Sequence, residues 1–230
     1  MTATAYQKLD AWVDAHFDEQ VRFLQELVRV PTDTPPGNNT PHALRTAELL
    51  QAFGFAAGKH EVPADAVRTH GLQLITNLVV QRRYGPGRVV ALNAHGDVVP
   101  PGEGWTHDPY GGEVADGKLY GRGGGDDGYA AYASLAAIEA VQAGGGGHAR
   151  LVGLIECSEE SSSPDLPAYV EHLAPRLGTP SLVVCLDSFC GDYDRMWTTT
   201  SLRGLLDVTL TVEVLTEGVH SGTTPLAVPE

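Results

Sequence analysis

Three apolar, strand-like runs in this chain are each followed by histidine or carboxylate side chains, and helical segments separate the runs. Strand, helix, strand order predicts parallel strands joined by right-handed crossovers, because a parallel pair needs a long connection. We therefore expect an α/β fold with the polar residues collected at one edge of its sheet. The runs are residues 88–94, 150–157 and 181–186, and the side chains that follow them are His95, Glu159 with Glu160, and Asp187.

The rest of the chain fits an α/β class with a mostly parallel sheet and flanking helices. Apolar residues recur at helical spacing over residues 6–30 and again over the Ala-rich segment 128–143, which predicts the first crossover helix. From residue 206 apolar and polar residues alternate, as in a half-exposed strand. Residues 1–200 are interpreted as one domain, and residues 201–230 as the beginning of another.

Charge and hydropathy narrow the class of partner. Asp and Glu number 29 against 15 Lys and Arg, and the net charge of −14 disfavours nucleic acid and anionic membranes. Residues 1–17 contain no secretory apolar core, and no run approaches the roughly 18 apolar residues of a membrane span. We therefore expect a cytoplasmic protein.

Cys157, Cys185 and Cys190 lack zinc-finger spacing, and the first two are expected to be small buried side chains.

Ligands of open α/β sheets bind beyond the carboxyl ends of the strands, where the histidine and carboxylates of this chain fall. Any one of these residues alone would be an ordinary surface histidine or a solvated acidic turn. Together at one edge, imidazole and carboxylate groups form a cage suited to divalent metal ions. The sequence therefore predicts a metal-dependent hydrolase.

The glycine-rich segment 121–128 places Asp126 at the N-terminal end of the predicted helix, where a carboxylate can bridge two cations. A plain N-cap is the alternative for an aspartate at this place. The segment also satisfies the pattern G-x-G-x-x-G of dinucleotide-binding loops. Asp126 and Asp127 would face the pyrophosphate, however, so a nucleotide site is disfavoured.

Adjacent Glu159 and Glu160 would repel each other if both were ionised and buried, so they need a cation or a shared proton. With Glu160 as a metal ligand, Glu159 is free to take a proton from a metal-activated water. It would later pass that proton to the leaving amine as a general acid. A solvated acidic turn is the alternative for this pair.

Asp97 and Asp187 complete the predicted site. Asp97 lies two residues after His95 and is expected to orient that imidazole from behind, with an ordinary aspartate turn as the alternative. Asp187 has two nearby competitors, Asp192 and Asp194. Its position at the end of a strand favours Asp187 as the metal ligand.

Three motifs surround these residues: His95-Gly-Asp97-Val-Val-Pro, Gly-Arg-Gly-x-x-Asp126-Asp127-Gly, and Glu156-x-x-Glu159-Glu160-Ser. In this combination they resemble the first metal motif, the bridging-aspartate motif and the catalytic glutamate pair of the M20 family of co-catalytic zinc metallopeptidases. The likeness is strongest to the dipeptidase branch related to carnosinases. It covers nearly the whole chain, and the combination is more specific than any single motif.

The resemblance implies two divalent metal ions, most commonly zinc, with manganese and cobalt as alternatives. One metal would be bound by His95, Asp126 and Asp187, and the other by Asp126, Glu160 and a histidine near the family's C-terminus. Glu159 would be the general base. The aspartate at position 187, where other branches have glutamate, favours hydrolysis of dipeptides or short peptides.

The resemblance also implies an α+β lid domain through which two subunits form a homodimer. His220 matches a lid histidine that reaches the partner subunit's active site and stabilises the oxyanion. Family members continue past residue 230, so the chain is expected to be truncated within the lid and to lack the last histidine ligand. The alternatives are an amidohydrolase that removes an acyl group from an amino acid, and a noncatalytic metal-binding fragment.

Overall fold

The computed structural model describes residues 3–34, 38–52, 56–61, 76–82, 89–188, 190–192 and 194–212. No helix within these ranges is long and apolar enough to cross a membrane. The α-helices are α1 (Ala3–Ala15), α2 (Phe17–Val28), α3 (Thr40–Ala52), α4 (Gly128–Ala143) and α5 (Leu166–Leu177). The strands are β1 (Ala56–Glu61), β2 (Thr76–Arg82), β3 (Val89–His95), β4 (Glu113–Ala115), β5 (Lys118–Tyr120), β6 (Arg150–Glu156) and β7 (Pro180–Cys185).

Five strands form one sheet in the order β1-β2-β6-β3-β7. Strand β3 is parallel to both of its neighbours, β6 and β7, whereas β2 is antiparallel to β6 and to β1. Within this sheet only β2 is therefore reversed, which confirms the α/β class and the mostly parallel sheet. Strands β4 and β5 form a separate hairpin. The carboxyl ends of β3, β6 and β7 meet at the edge where the predicted site residues lie.

Helix α4 lies in the connection from β3 to β6, and its buried face is rich in alanine, which allows close approach to the sheet. Leu135 and Ile138 of α4 pack with Leu151 and Ile155 of β6, and Leu50 of α3 joins the same core. Full burial of a Leu or Ile side chain contributes about 1.5–3 kcal/mol. The apolar contact holds the start of α4 beside the ends of β3 and β6.

Helix α2 packs against α4 through an aromatic pair. The ring centres of Phe23 and Tyr132 lie 4.4 Å apart with the planes tilted by 54°. Leu27 and Ala136 complete this cluster. A tilted aromatic pair contributes about 0.5–1.5 kcal/mol beyond its buried area, so the N-terminal helices are fixed to the helix that begins at the site.

Strand β7 differs from the sequence-based expectation of a buried strand over residues 181–186. Leu182 is 56% exposed and Val183 is 61% exposed, and Cys185 is exposed as well. The prediction of a buried cysteine is confirmed for Cys157 and is wrong for Cys185. These side chains are exposed because β7 is an edge strand of the described sheet. Apolar composition alone does not distinguish an edge strand from a central one.

Two further segments show how pairing decides whether a strand forms. Residues 206–212, predicted as part of a half-exposed strand, form neither helix nor strand and are exposed. An alternating pattern does not itself supply the neighbouring backbone that a strand needs for its hydrogen bonds. Strand β1 was not predicted, because its residues have weak β propensity, and it forms by pairing with β2.

The chain divides into two units, Met1–Ser188 and Phe189–Glu230. All the site residues that follow belong to the first unit. In the second unit, Nε of Arg195 donates to a carboxylate oxygen of Asp192 at 2.9 Å. The predicted domain boundary near residue 200 stays a prediction.

Candidate metal centre

His95 is the last residue of β3, and it is only 3% exposed at the carboxyl edge of the sheet. Its Nε2 lies 2.9 Å from Oδ1 of Asp126 and 3.7 Å from Oδ2 of Asp187. Its Nδ1 lies 2.9 Å from the backbone oxygen of Asp97, which favours a proton on Nδ1. The imidazole is therefore held at Nδ1 by the backbone oxygen of Asp97, and its Nε2 faces the carboxylates of Asp126 and Asp187.

Two overlapping groups of donor atoms surround this imidazole. One group is His95, Asp126 and Glu160, the other is His95, Glu159 and Asp187, and the donor atoms of each group lie within 4.8 Å of one another. The structure thus brings together five residues from four separate segments. The grouping differs from the one implied by the family resemblance, in which Asp187 shares a metal with Asp126 and Glu159 binds none.

Asp97 is completely buried and joins two parts of the site. Its carboxylate accepts hydrogen bonds from the backbone N–H groups of Glu159 and Glu160, each at 3.2 Å. These amides open the 3-10 turn Glu159–Ser161, and the first N–H groups of a helical turn need partners from outside it. Oδ1 of Asp97 also lies 3.6 Å from Nδ1 of His95. The carboxylate faces the imidazole, as the sequence predicts, and it also holds the glutamate turn.

The loop before α4 carries Asp126 into the site, and the peptide bond between Asp126 and Asp127 is cis. Asp127 is the N-cap residue of α4, but its side chain makes no capping hydrogen bond. Its Oδ2 instead accepts a hydrogen bond from the backbone N–H of His95 at 3.2 Å. The N-cap alternative therefore does not describe Asp126, and Asp127 fixes the end of β3 to the start of α4.

Two glycines of this loop, Gly123 and Gly128, are required by the way the loop closes on itself. Gly123 has a φ of +81°, and a Cβ at Gly128 would lie 2.6 Å from the carbonyl oxygen of Gly123. The N–H of Gly128 donates to that same oxygen at 2.9 Å. A side chain at either position would open the turn that presents Asp126, so the closure of the loop accounts for the first and third glycines of the pattern G-x-G-x-x-G.

The crowding of carboxylates shifts the proton affinities of the site. Burial lowers the pKa of His95, but the carboxylates of Asp97 and Asp127 outweigh it and raise the pKa to about 10. Burial raises the pKa of Asp127 to about 7. Burial together with neighbouring carboxylates also raises the pKa of Glu159 and that of Glu160. The site holds an excess of negative charge that a cation would neutralise.

A short loop that contains Val99, Pro101 and Trp105 lies in front of Glu160 and forms the rim of the site. The N–H of Val99 donates to Oε1 of Glu160 at 3.3 Å. The carbonyl oxygen of Pro101 accepts from Nε1 of Trp105 at 2.7 Å and from Nη2 of Arg122 at 3.3 Å. The guanidinium carbon of Arg122 also lies 5.4 Å from the ring centre of Trp105. The arginine of the glycine-rich loop therefore stabilises the rim.

Buried polar residues support the His-Gly-Asp motif from behind. A Cβ at Gly96 would lie 3.2 Å from the ring of His42 and 3.3 Å from Sγ of Cys157. Nδ2 of Asn39 donates to the backbone oxygen of Cys157 at 2.8 Å. The sequence does not mark Asn39 and His42 as residues that support the site, because an asparagine before a helix and a histidine within one are common.

The buried ring of His42 predicts a loss of stability in acid. Burial lowers its pKa to about 4 in the folded state, against the opposing charge of Asp97. Unfolding exposes the ring and returns the pKa to about 6.5, so the unfolded state binds the extra proton first. The contribution of His42 to the free energy of unfolding is therefore fully present above about pH 6.5 and is lost as the pH falls toward 4. Between about pH 7.5 and pH 5 the loss is about 2 kcal/mol.

Urea unfolding at these two pH values, with a chelator present, measures the effect as the difference between wild type and His42→Gln. The variant should show about 2 kcal/mol less pH dependence of the free energy of unfolding. His172→Gln, at an exposed position of α5, controls for the removal of a histidine. Equal pH dependence in wild type and His42→Gln would contradict the prediction.

Six of the seven residues predicted for the site lie in it. The seventh, His220, lies outside the described residues, and its predicted role stays a prediction. Asp192, a competitor of Asp187, pairs with Arg195 instead. The six are His95, Asp97, Asp126, Glu159, Glu160 and Asp187.

A divalent cation fits this donor set. One imidazole nitrogen and the carboxylates of four residues converge within short distances of one another. In the described part of the chain, Oδ1 of Asp127 and Oε2 of Glu156 are buried without a hydrogen-bond partner, and burial raises the pKa of both carboxyls. Imidazole and carboxylate ligands suit zinc, manganese and cobalt alike.

Comparison with known proteins identifies sequence relatives. The profile of the family described as peptidase family M20/M25/M40 matches residues 91–206. The succinyl-diaminopimelate desuccinylase of Wolinella succinogenes is 37% identical over 103 residues, which are 45% of this chain and 24% of that protein. The enzyme of the same name from Methylobacterium radiotolerans is 41% identical over 111 residues, or 47% of this chain and 26% of that protein. The matched region is thus about a quarter of the length of these relatives.

Solved structures share the fold. Human carnosine dipeptidase 1 matches with a TM-score of 0.66 and 26% sequence identity, over 80% of this chain and 41% of that one. The dipeptidase Dug1p of Saccharomyces cerevisiae matches with a TM-score of 0.67 and 20% identity, over 78% of this chain and 40% of that one. At this level of identity the second likeness concerns the fold alone. The chain spans about two-fifths of each structure.

Proposed function

The chain belongs to peptidase family M20/M25/M40, and from that premise we propose that it is a metal-dependent hydrolase of amide bonds. One observation carries the proposal. An imidazole and four carboxylates from separate segments converge at the carboxyl edge of the sheet, with donor atoms within 4.8 Å in each group. Such a concentration of like charge is costly in a purely structural role, and a bound cation relieves it.

Two divalent cations are proposed for the donors around His95. By the resemblance to the family, His95, Asp126 and Asp187 would hold one, and Asp126 and Glu160 would contribute to the other. When bound, such cations would polarise the substrate carbonyl and lower the pKa of a water molecule. Asp97 would keep the imidazole in the tautomer that presents Nε2.

Glu159 is proposed as the general base. Its carboxylate lies in one group with His95 and Asp187, and this proximity supports a role beside the proposed cations. Its backbone N–H donates to the buried carboxylate of Asp97, so the turn that carries it is held in place. Glu159 would take a proton from the attacking water and give it to the leaving nitrogen.

A dipeptide or short peptide is the proposed substrate. The similarity to human carnosine dipeptidase 1, which extends over 80% of this chain, supports this choice. The aspartate at position 187 supports it as well, through the resemblance to the dipeptidase branch. Both observations concern the part of the molecule that holds the proposed metals.

An N-acyl amino acid is the second candidate substrate. The observation in its favour is the similarity to succinyl-diaminopimelate desuccinylases, at 37% and 41% identity over slightly less than half of this chain. The name of those enzymes describes removal of a succinyl group from an amino acid. The bond is an amide in both cases, so the proposed roles of the site residues are the same.

A substrate panel with added metal tests the proposal. The chain is incubated with zinc, manganese or cobalt ions and with either dipeptides or N-succinyl and N-acetyl amino acids. We expect dipeptides to give a kcat/KM higher by at least about tenfold, and a chelator to abolish turnover. The reverse preference would assign the chain to the deacylases. If the folded, metal-loaded chain hydrolyses neither class, the noncatalytic alternative replaces the proposal.

Location and assembly are proposed from the sequence alone. We propose a cytoplasmic protein that binds no nucleic acid or membrane and that, with a complete lid domain, forms a homodimer through that lid. In that dimer His220 would reach the partner subunit's site and stabilise the oxyanion. Sedimentation of a protein that contains the complete lid domain would test the dimer.

A further inference from the structure

Tyr129 connects two segments that supply proposed metal ligands. It is the second residue of α4 and lies three residues after Asp126. Its hydroxyl donates a hydrogen bond of 2.5 Å to the carbonyl oxygen of Leu186, and the contact is partly buried. Leu186 directly precedes Asp187. This hydrogen bond therefore joins the helix that follows Asp126 to the peptide group that leads into Asp187.

Asp187 lies beyond the part of β7 that the sheet holds. The last paired residue of β7 is Cys185, which lies opposite Asn93 of β3. Beyond Cys185, the backbone of Leu186 and Asp187 is no longer paired with β3. The N–H of Ser188 donates to the carbonyl of Leu186 at 2.9 Å, but this bond is local and shapes the turn without attaching it to another element.

The tyrosine hydroxyl supplies a long-range attachment. The carbonyl of Leu186 belongs to the peptide plane from which the Cα of Asp187 departs, so fixing that oxygen limits the directions open to the Asp187 side chain. The Leu186 side chain packs against the core on the same segment. The resulting position leaves Oδ2 of Asp187 3.7 Å from Nε2 of His95.

We propose that Tyr129 is a positioning residue that holds Asp187 in place as a metal ligand. The inference rests on the proposed function, because it requires a cation at Asp187. Groups that orient a metal ligand without touching the metal commonly change its affinity by about 10–100-fold. If the hydrogen bond from Tyr129 to Leu186 had only a structural role, its removal would lower the stability of the fold and leave metal affinity unchanged.

Titration of the metal-free chain with cobalt ions, followed by visible absorption, tests the inference. Tyr129→Phe removes one oxygen and keeps the ring. We expect it to weaken binding of one cobalt ion by about tenfold and to change its absorption spectrum, with the other ion unaffected. Asp187→Asn should act on the same ion. Tyr132→Phe, one turn later on α4 and packed on Phe23, should bind cobalt as wild type does.

Each other result overturns the inference in a distinguishable way. Wild-type affinity and spectrum in Tyr129→Phe, together with weakened binding in Asp187→Asn, would remove the positioning role and leave the proposed metal site intact. Unchanged binding in both variants would remove Asp187 from the ligands and with it the proposed function at this residue. Equal weakening of both ions in Tyr129→Phe would show a general loss of structure, which circular dichroism would detect independently.

Discussion

Replacing Glu159 with glutamine is expected to lower kcat for amide hydrolysis by about 10²–10⁴-fold. Glutamine has nearly the same shape but cannot accept the proton of the attacking water. The backbone N–H of residue 159 would still donate to Asp97, so the turn should keep its position. Metal content, measured by elemental analysis, should remain at the wild-type level because Glu160 is retained.

A matched control for this variant is Glu171→Gln, at an exposed position of α5. It makes the same chemical change away from the site and should leave kcat unaltered. Retention of wild-type kcat in Glu159→Gln would remove Glu159 from the role of general base. Loss of metal together with kcat would instead make it a ligand, as the observed group of His95, Glu159 and Asp187 would also allow.

Replacing Asp126 with alanine is expected to have the largest effect on metal binding. Asp126 is the residue that the proposal gives to both cations, so its loss removes a donor from each. The side chain is 52% exposed, and its removal should cost the fold little. We expect affinity for both ions to fall by at least the roughly 10–100-fold known for outer-shell partners.

Equilibrium dialysis followed by elemental analysis measures this loss. Asp14→Ala, at an exposed position of α1, is the control and should keep its metal. Wild-type stoichiometry in Asp126→Ala would contradict the bridging role. Loss of one ion only would mean that Asp126 serves a single cation.

The site residues that directly follow strands could be predicted from the sequence. His95 follows a strongly apolar run and is the last residue of β3, so the rule that parallel strands end at one edge placed it correctly. The same rule placed Glu159 and Glu160 just after β6, and Asp187 just after β7. These residues needed only the order of elements, which hydropathy periodicity reveals.

Contacts between distant segments were not predictable in this way. Asp127 is the N-cap residue of α4, yet its carboxylate accepts the N–H of His95 instead of capping the helix. Tyr129 looks like one more residue of a helix, and nothing near it in sequence points to Leu186. The exposure of Cys185 depends on which strand lies at the sheet edge, a property of the assembled sheet that local composition does not encode.

The donors of the site are close in space but distant along the chain. His95 and Asp126 are 31 residues apart, and Asp97 contacts a glutamate 62 residues away. Such a cluster exists only after the strands have paired, because no local segment contains it. Bound metal would therefore report on completed folding, and it would stabilise the folded chain in proportion to the logarithm of the free metal concentration well above Kd. Thermal denaturation of this chain in metal buffers of graded free concentration would thus measure site affinity without any substrate.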